Sequence, residues 1–166
     1  MNTSGAPAIS NLDTKDLVWR YQATNDRFGQ AFAEICKKNG YKRPATMAFN
    51  NASGLGNTQG FTKAWEAAGG KVVAHVTYEP NRPSYRSELQ KILDAKPDVI
   101  VTGSYLPDST IILREWFQSG VPVKWIMPGW AANPDLVKAL GNEVCEGLIS
   151  VDSVSNEKSA SYAHFD

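Results

Sequence analysis

Residues 45–70, ATMAFNNASGLGNTQGFTKAWEAAGG, pass from a short apolar run through a glycine cluster into a helical period, and their reading decides the fold. Ala45–Phe49 has the length and apolar content of a buried strand. Phe61, Ala64, Trp65 and Ala68 then recur at i, i+3, i+4 and i+7, one face of a helix that Gly69 ends. Between them, Asn50–Gly60 carries its glycines as G-x-G-x-x-x-G, one residue longer than the dinucleotide fingerprint. In that fingerprint the third glycine seats helix on strand. Gly60 is displaced by one position, about 100° around a helix, and cannot seat it in the same way. No lysine with a following Ser or Thr closes the glycine run, which excludes a P-loop. What remains is a flexible βα loop whose glycines permit positive φ, with the polar residues Asn50, Asn51, Ser53 and Asn57 beside a helix N-terminus.

The unit repeats along the chain. Val72–Tyr78 reads as a strand, and Ser84 as the N-cap of a helix with Tyr85, Leu89, Ile92 and Leu93 on its inner face. Asp98–Gly103 is continuous and β-branched, as a parallel strand covered on both faces should be. Asp108 is placed to cap a helix carrying Ile112, Leu113, Trp116 and Phe117, which Gly120 stops. Val123–Met127 is a fourth strand, Asn133 with Pro134 opens a short helix, and Gly147–Val151 is a fifth strand. One helix, Asp26–Lys38, precedes them all, with Phe28, Ala31, Phe32, Ile35 and Cys36 on one face. Strands alternating with helices predict an α/β fold, a doubly wound and mainly parallel five-stranded sheet flanked by helices. Ligands bind such sheets outside the carboxyl ends of the strands. The candidate loops are Asn50–Asn57, Glu79–Pro83, Gly103–Pro107, Pro128–Asn133 and the segment after Val151.

Composition narrows the function classes. The chain has 166 residues, 42% hydrophobic and 20% charged, the profile of one globular domain. Seventeen basic residues balance seventeen acidic ones, so no net field favours nucleic acid or anionic lipid, and no nucleic-acid partner is expected. No run of eighteen apolar residues and no signal-peptide layout is present in the sequence. Cys36 and Cys145 lack metal or redox spacing and read as buried thiols; a disulfide between them would require an oxidising compartment. The histidines, His75 in a strand and His164 in the tail, form no metal pair, and no nucleophile elbow occurs. No catalytic residue, cofactor or metal is expected.

The stretch KPDVIVTGSYLPDSTIILREWFQSGV (96–121) resembles the second lobe of type I periplasmic binding proteins, the leucine/isoleucine/valine-binding group served by ABC transporters. Supporting marks are VWRYQATND, YKRPATMAFNNASGLGNTQGFTKAWEAAGGKVV, RSELQKILDAKPDVIVTGSY, LREWFQSGV and GNEVCEGLISV, in that family's order. The likeness extends from about Pro7 to about Val154. It implies two α/β lobes closing on a small solute, of which residues 11–154 are the second. Residues 1–10 would then be a linker or the end of the first lobe, and residues 155–166 a truncated crossover or tail. It further implies an ABC permease as partner of the full-length protein, a periplasmic or membrane-anchored extracellular location, no enzymatic activity, and an open cleft face able to drive self-association. The competing readings are a dinucleotide-dependent enzyme domain, for which Glu79 would imitate the ribose-binding acid, and a ligand-sensing domain on the same fold.

Site residues follow where motifs match. The resemblance puts Tyr105 of TGSY at the cleft, with the Ser104 hydroxyl beside it. Leu55 falls where branched-chain amino-acid binders carry a tyrosine. Gly129 of IMPGWAAN falls where amino-acid binders often carry a carboxylate for the ligand ammonium, so leucine, isoleucine and valine are not the expected ligands. Trp130 offers a flat face to an aromatic ligand or a cation, Arg27 a partner for a ligand carboxylate, and Asn51 and Ser53 hydrogen-bonding groups from the glycine loop.

Overall fold

A computed structural model of the chain describes residues 5–12, 15, 19–20 and 22–153. Strands β1 (Pro44–Phe49), β2 (His75–Tyr78), β3 (Val99–Gly103), β4 (Lys124–Pro128) and β5 (Ile149–Val151) form one sheet in the order β2-β1-β3-β4-β5. Every pairing is parallel, as the alternation of strands and helices predicts. The helices are α1 (Ile9–Leu12), α2 (Asn25–Lys38), α3 (Ala52–Ala67), α4 (Arg86–Asp94), α5 (Leu106–Ser119), α6 (Pro134–Leu140) and α7 (Asn142–Cys145). Residues 1–4 and 154–166, with His164, lie outside the described residues.

The apolar run of β3 shows why the sheet needs two covers. Val99 and Val101 pack with Phe28, Phe32, Phe61 and Trp65 of α2 and α3. Ile100, one residue out of phase, packs with Leu89 and Ile92 of α4 and with Ile112 and Leu113 of α5. Successive side chains of a strand point to opposite faces, so a strand buried on both must be apolar throughout. Strand order reverses at β1: the chain passes first outward to β2, then back across to β3. The crevice of such a sheet lies at the carboxyl ends of those two central strands.

The glycine cluster is not a loop. Helix α3 begins at Ala52, directly after its N-cap Asn51, whose Oδ1 accepts the Gly54 N–H at 2.7 Å. None of Gly54, Gly56 and Gly60 has positive φ. Their use is close packing instead. A Cβ on Gly60 would lie 2.5 Å from Asp26 Cα, and one on Gly29 would lie 2.3 Å from the Phe61 nitrogen, so α2 and α3 touch backbone to backbone. A Cβ on Gly54 would lie 2.6 Å from the Phe49 oxygen, and one on Gly103 would lie 2.2 Å from the Gly54 oxygen. Helix α3 therefore rests directly on the ends of β1 and β3. Gly60 does seat a helix, but on α2 rather than on a strand.

Two expected caps have other work. Asn133 caps α6 as its sequence suggests, accepting from the Asp135 and Leu136 nitrogens at 3.0 and 3.3 Å. Ser84, by contrast, donates to Glu115 Oε1 at 2.6 Å, and α4 starts after Tyr85. Asp108 lies inside the first turn of α5 and is turned inward, accepting from Tyr85 Oη at 2.7 Å and from the Asn81 nitrogen at 3.1 Å. The next helix thereby anchors the β2–α4 loop.

Both cysteines are free thiols. Cys36 is buried beside Phe32 and Phe61 on the α2–α3 face, whereas Cys145, half-buried, belongs to the opposite cluster. Burial pushes the Cys36 thiol from 9.0 up to about 12. A thiol reagent at neutral pH is expected to modify Cys145 in the native protein and Cys36 only after unfolding, because the thiolate is the nucleophile. Burial, reinforced by the bond to Asp108, also pushes the Tyr85 phenol from 10.0 up to about 12. Both folded-state values are raised, so their contribution is complete at neutral pH and is lost as pH rises. Denaturant midpoints should fall between pH 9.0 and about 12, and Cys36→Ala should reduce that slope.

Candidate functional site

The carboxyl ends of β1, β3 and β4 and the N-terminus of α2 surround an open cleft of about 500 Å³, with Gln22, Asn25, Asn51, Ser53, Tyr105 and Trp130 in its walls. Asn25 holds it together. It is 1% exposed, its Nδ2 donates to the Ser53 carbonyl at 2.8 Å and to Ser53 Oγ, and its backbone N–H donates to the Gly5 oxygen at 2.8 Å. The N-terminal segment lies so close that a Cβ on Gly5 would sit 1.8 Å from Asn25 Oδ1. The ends of α2 and α3 and residues 5–6 are thereby fixed to one another.

The aromatic walls are set from beneath. Tyr105 follows β3 and stands edge-on to Phe49 of β1, with ring centroids 5.2 Å apart at 82°. Its carbonyl accepts from Ser109 Oγ at 2.7 Å, which fixes the backbone where α5 begins. Trp130 follows β4 and stands edge-on to Phe28 of α2 at 5.1 Å and 74°. Each ring is supported on one side and half-exposed on the other. Among the described residues no cleft-wall side chain is charged, so the amides, hydroxyl and phenol supply neutral donors and acceptors between two aromatic faces.

Of the residues singled out in the sequence, Tyr105, Trp130, Asn51 and Ser53 come together here. Ser104 does not: it is 1% exposed beneath the floor, where Tyr78 Oη lies 2.6 Å from its Oγ and Ser109 Oγ donates to it at 3.1 Å. Burial pushes the Tyr78 phenol well above its ordinary value. Leu55 lines a different groove, with Thr58, His75 and Val76. The Arg27 side chain is exposed and donates to Gln30 Oε1 at 3.2 Å, and Arg27 is not in the cleft walls. Glu79, the would-be ribose acid, accepts from Asn50 Nδ2 at the end of β2.

Sequence reasoning missed Asn25, Gln22 and a carboxylate. Gly129 was expected to leave this corner without an acid, and the structure corrects that. The Gly129 nitrogen donates to the Val151 oxygen at 2.7 Å, so the chain leaving β4 runs beside the chain leaving β5. Asp152 then occupies the space over Gly129: a Cβ there would lie 2.2 Å from Asp152 Oδ2 and 2.7 Å from its Cβ. The carboxylate arrives from the neighbouring strand, a juxtaposition with no local signature. The only signal was positional, since the segment after Val151 is one of the loops at the ligand edge.

Among the described residues no cluster of His, Cys, Asp and Glu is able to hold a metal, and no helix is long and apolar enough to cross a membrane. A family model of periplasmic binding proteins matches residues 2–165. No curated protein sequence matches the chain. Among solved structures, the leucine binding protein LivK from Thermotoga maritima is similar at a TM-score of 0.76 and 23% identity, covering 88% of this chain and 42% of that one. A type 1 periplasmic binding protein from Bordetella pertussis Tohama I gives 0.77 at 20% identity, over 89% of this chain and 40% of that one. A solute binding protein of an ABC transporter from R. palustris, in complex with benzoate, gives 0.74 at 23% identity, over 89% and 41%. At these identities the likeness is one of fold, and the chain spans less than half the length of each. With a family match over nearly its whole length and a five-stranded parallel sheet whose ligand edge carries the cleft, the chain belongs to the periplasmic binding protein family and has the fold of a type I lobe.

Proposed function

We propose that this lobe belongs to the solute-binding component of an ABC-type uptake system and captures a small organic solute without chemical change. The observation that supports it most is the cleft itself, a hydrogen-bonding surface between Tyr105 and Trp130 at the point where strand order reverses. The glycine spacing argues against a dinucleotide enzyme, and the glycines are used in close packing of helix on helix and helix on strand instead. The solute class is amino-acid-like, an amide, or an aromatic or carboxylic acid. A leucine binding protein and a benzoate complex both share the fold, and the cleft offers amides for the polar end and ring faces for the apolar one. The protein works outside the cytoplasmic membrane, anchored to it or free, and hands its solute to a permease.

Small-molecule pockets usually enclose roughly 70–90% of their ligand, and one lobe covers only part of that area. Titrating the chain with leucine, benzoate or acetamide should therefore give binding near the millimolar range, about 4 kcal/mol, with NMR shifts centred on Tyr105, Ser53 and the Trp130 indole. Tyr105→Ala and Trp130→Ala should each weaken that binding more than they lower the melting temperature. Both rings keep a face toward the cleft, although Trp130 also packs against the core and should lose more stability than Tyr105 when truncated. Shifts scattered away from these residues, or a variant that mainly unfolds the protein, would remove the cleft from the proposal.

A further inference from the structure

We infer that a groove at the opposite end of the sheet from the cleft binds a phosphate group, carried either by the free ion or by the headgroup of an anionic lipid. The groove has a volume of about 550 Å³, with Lys37, Tyr41, Lys42, Trp65, Gly70 and Lys71 in its walls. Position carries the first step. Lys37 is in the last turn of α2, and Lys42 and Lys71 precede β1 and β2. These residues stand at the amino ends of the strands, so the groove is independent of the solute-binding reading of the cleft.

The second step is charge. Among the described residues, three amines and no carboxylate line the groove. Lys42 and Lys71 form no ion pair with any described residue, whereas Lys37 Nζ lies 2.7 Å from Glu34 Oε1. The acids close by in the chain are turned elsewhere: Asp98 Oδ2 accepts the Lys42 and Arg43 N–H groups at 2.5 and 3.0 Å, and Glu66 lines a different groove. Burial, with Cys36 and Asp98 nearby, holds the Tyr41 phenol above its ordinary value, so it stays protonated and able to donate. The chain is neutral as a whole, yet this end presents amines to an anion, and a lysine ammonium is a point-charge partner for phosphate.

The third step is a donor without an acceptor. Trp65 is 6% exposed, and its Nε1 is buried with no hydrogen-bond partner among the described residues. Such an N–H bears its desolvation cost until something accepts from it. A Cβ on Gly70 would lie 2.3 Å from that nitrogen and 2.4 Å from Cε2, so any other residue there would press on the indole edge. Gly70 has no positive φ, and backbone conformation does not account for the glycine. Its missing side chain leaves the indole N–H beside the groove instead. A phosphate seated there has oxygens enough to accept from indole, phenol and amines together, and its negative charge answers Lys42 and Lys71.

Inorganic phosphate, titrated into the whole chain and followed by NMR against sodium chloride of equal ionic strength, should shift the Trp65 indole N–H saturably and leave the Trp130 indole and the Tyr105 amide in place. Trp65→Phe identifies the signal. Replacing Lys42 and Lys71 together by glutamine should weaken phosphate binding about 3- to 10-fold, the range of two exposed ion pairs. The melting temperature should stay as it was, because both side chains are exposed. Vesicles of phosphatidylglycerol and of phosphatidylcholine distinguish the sources. Sedimentation with the first and not the second, lost in the double variant and on adding salt, identifies a lipid headgroup; phosphate binding without sedimentation identifies the free ion. The inference is overturned if neither phosphate nor phosphatidylglycerol engages the groove, if chloride shifts the indole as far as phosphate does, or if binding survives the double substitution.

Discussion

Gly29→Ala is expected to cost about 3 kcal/mol of stability, at the upper end for overpacking a close contact, and to lower the melting temperature by roughly 10 °C in a domain of this size. The added methyl would meet the Phe61 nitrogen at 2.3 Å and the Asn57 oxygen at 2.4 Å, both backbone atoms of α3. A side chain could swing aside, but a helix backbone moves only as a unit. Separating α2 from α3 opens the cluster in which Phe28, Phe32, Phe61 and Trp65 pack on β3 and β4. Gly69→Ala is the control. Its Cβ would meet nothing within 4 Å, so its cost is only that of an L-residue at φ 81°, about 1 kcal/mol. Thermal unfolding of the two variants distinguishes close approach from backbone conformation. Equal losses would show that the helices can shift to admit the methyl.

Asp108→Ala should be nearly as damaging, by about 2–3 kcal/mol, because it strands buried donors rather than removing a surface charge. Asp108 is 4% exposed and accepts from the phenol of Tyr85, which is 0% exposed, and from the Asn81 backbone. Without an acceptor, the Tyr85 hydroxyl bears its full desolvation cost inside the principal core cluster. Asp108→Asn should cost less, since both donors meet the same oxygen and an amide oxygen in its place still accepts from them. Denaturant unfolding of Asp108→Ala, Tyr85→Phe and the double variant tests the pairing. Coupling well above 0.5 kcal/mol is expected of groups in direct contact, and additive losses would mean the bond contributes nothing. The loop at 79–83 should exchange amide hydrogens faster in Asp108→Ala, because Asn81, at φ 57°, loses its tether.

Most of the architecture was legible because it is written in period. The β-branched run of β3, the 3.6-residue stripes of α2, α4 and α5, and glycines at Gly40, Gly69 and Gly120 in the left-handed conformation are local signals with local causes. The resemblance added the order of the pieces, which the family match bears out. The glycine cluster misled because its signal is ambiguous in one dimension. Glycine lowers helix propensity wherever it stands, and nothing in residues 50–60 reveals that another backbone lies 2.5 Å away. Ser84 and Asp108 misled in the same manner, since each has the chemistry of a cap and a better partner across the core.

The sequence by itself determined the fold class, the succession of strands and helices, and the sheet edge at which a ligand site would lie, because propensity, periodicity and capping act between residues close in the chain. Only the tertiary structure decided which side chains share the cleft. Asn25 joins Ser53 across 28 positions, Trp130 rests on Phe28, and Asp152 fills the space that Gly129 leaves. Those pairings depend on register and on how closely two backbones approach, and a contact between distant residues leaves no mark in the spacing of either one.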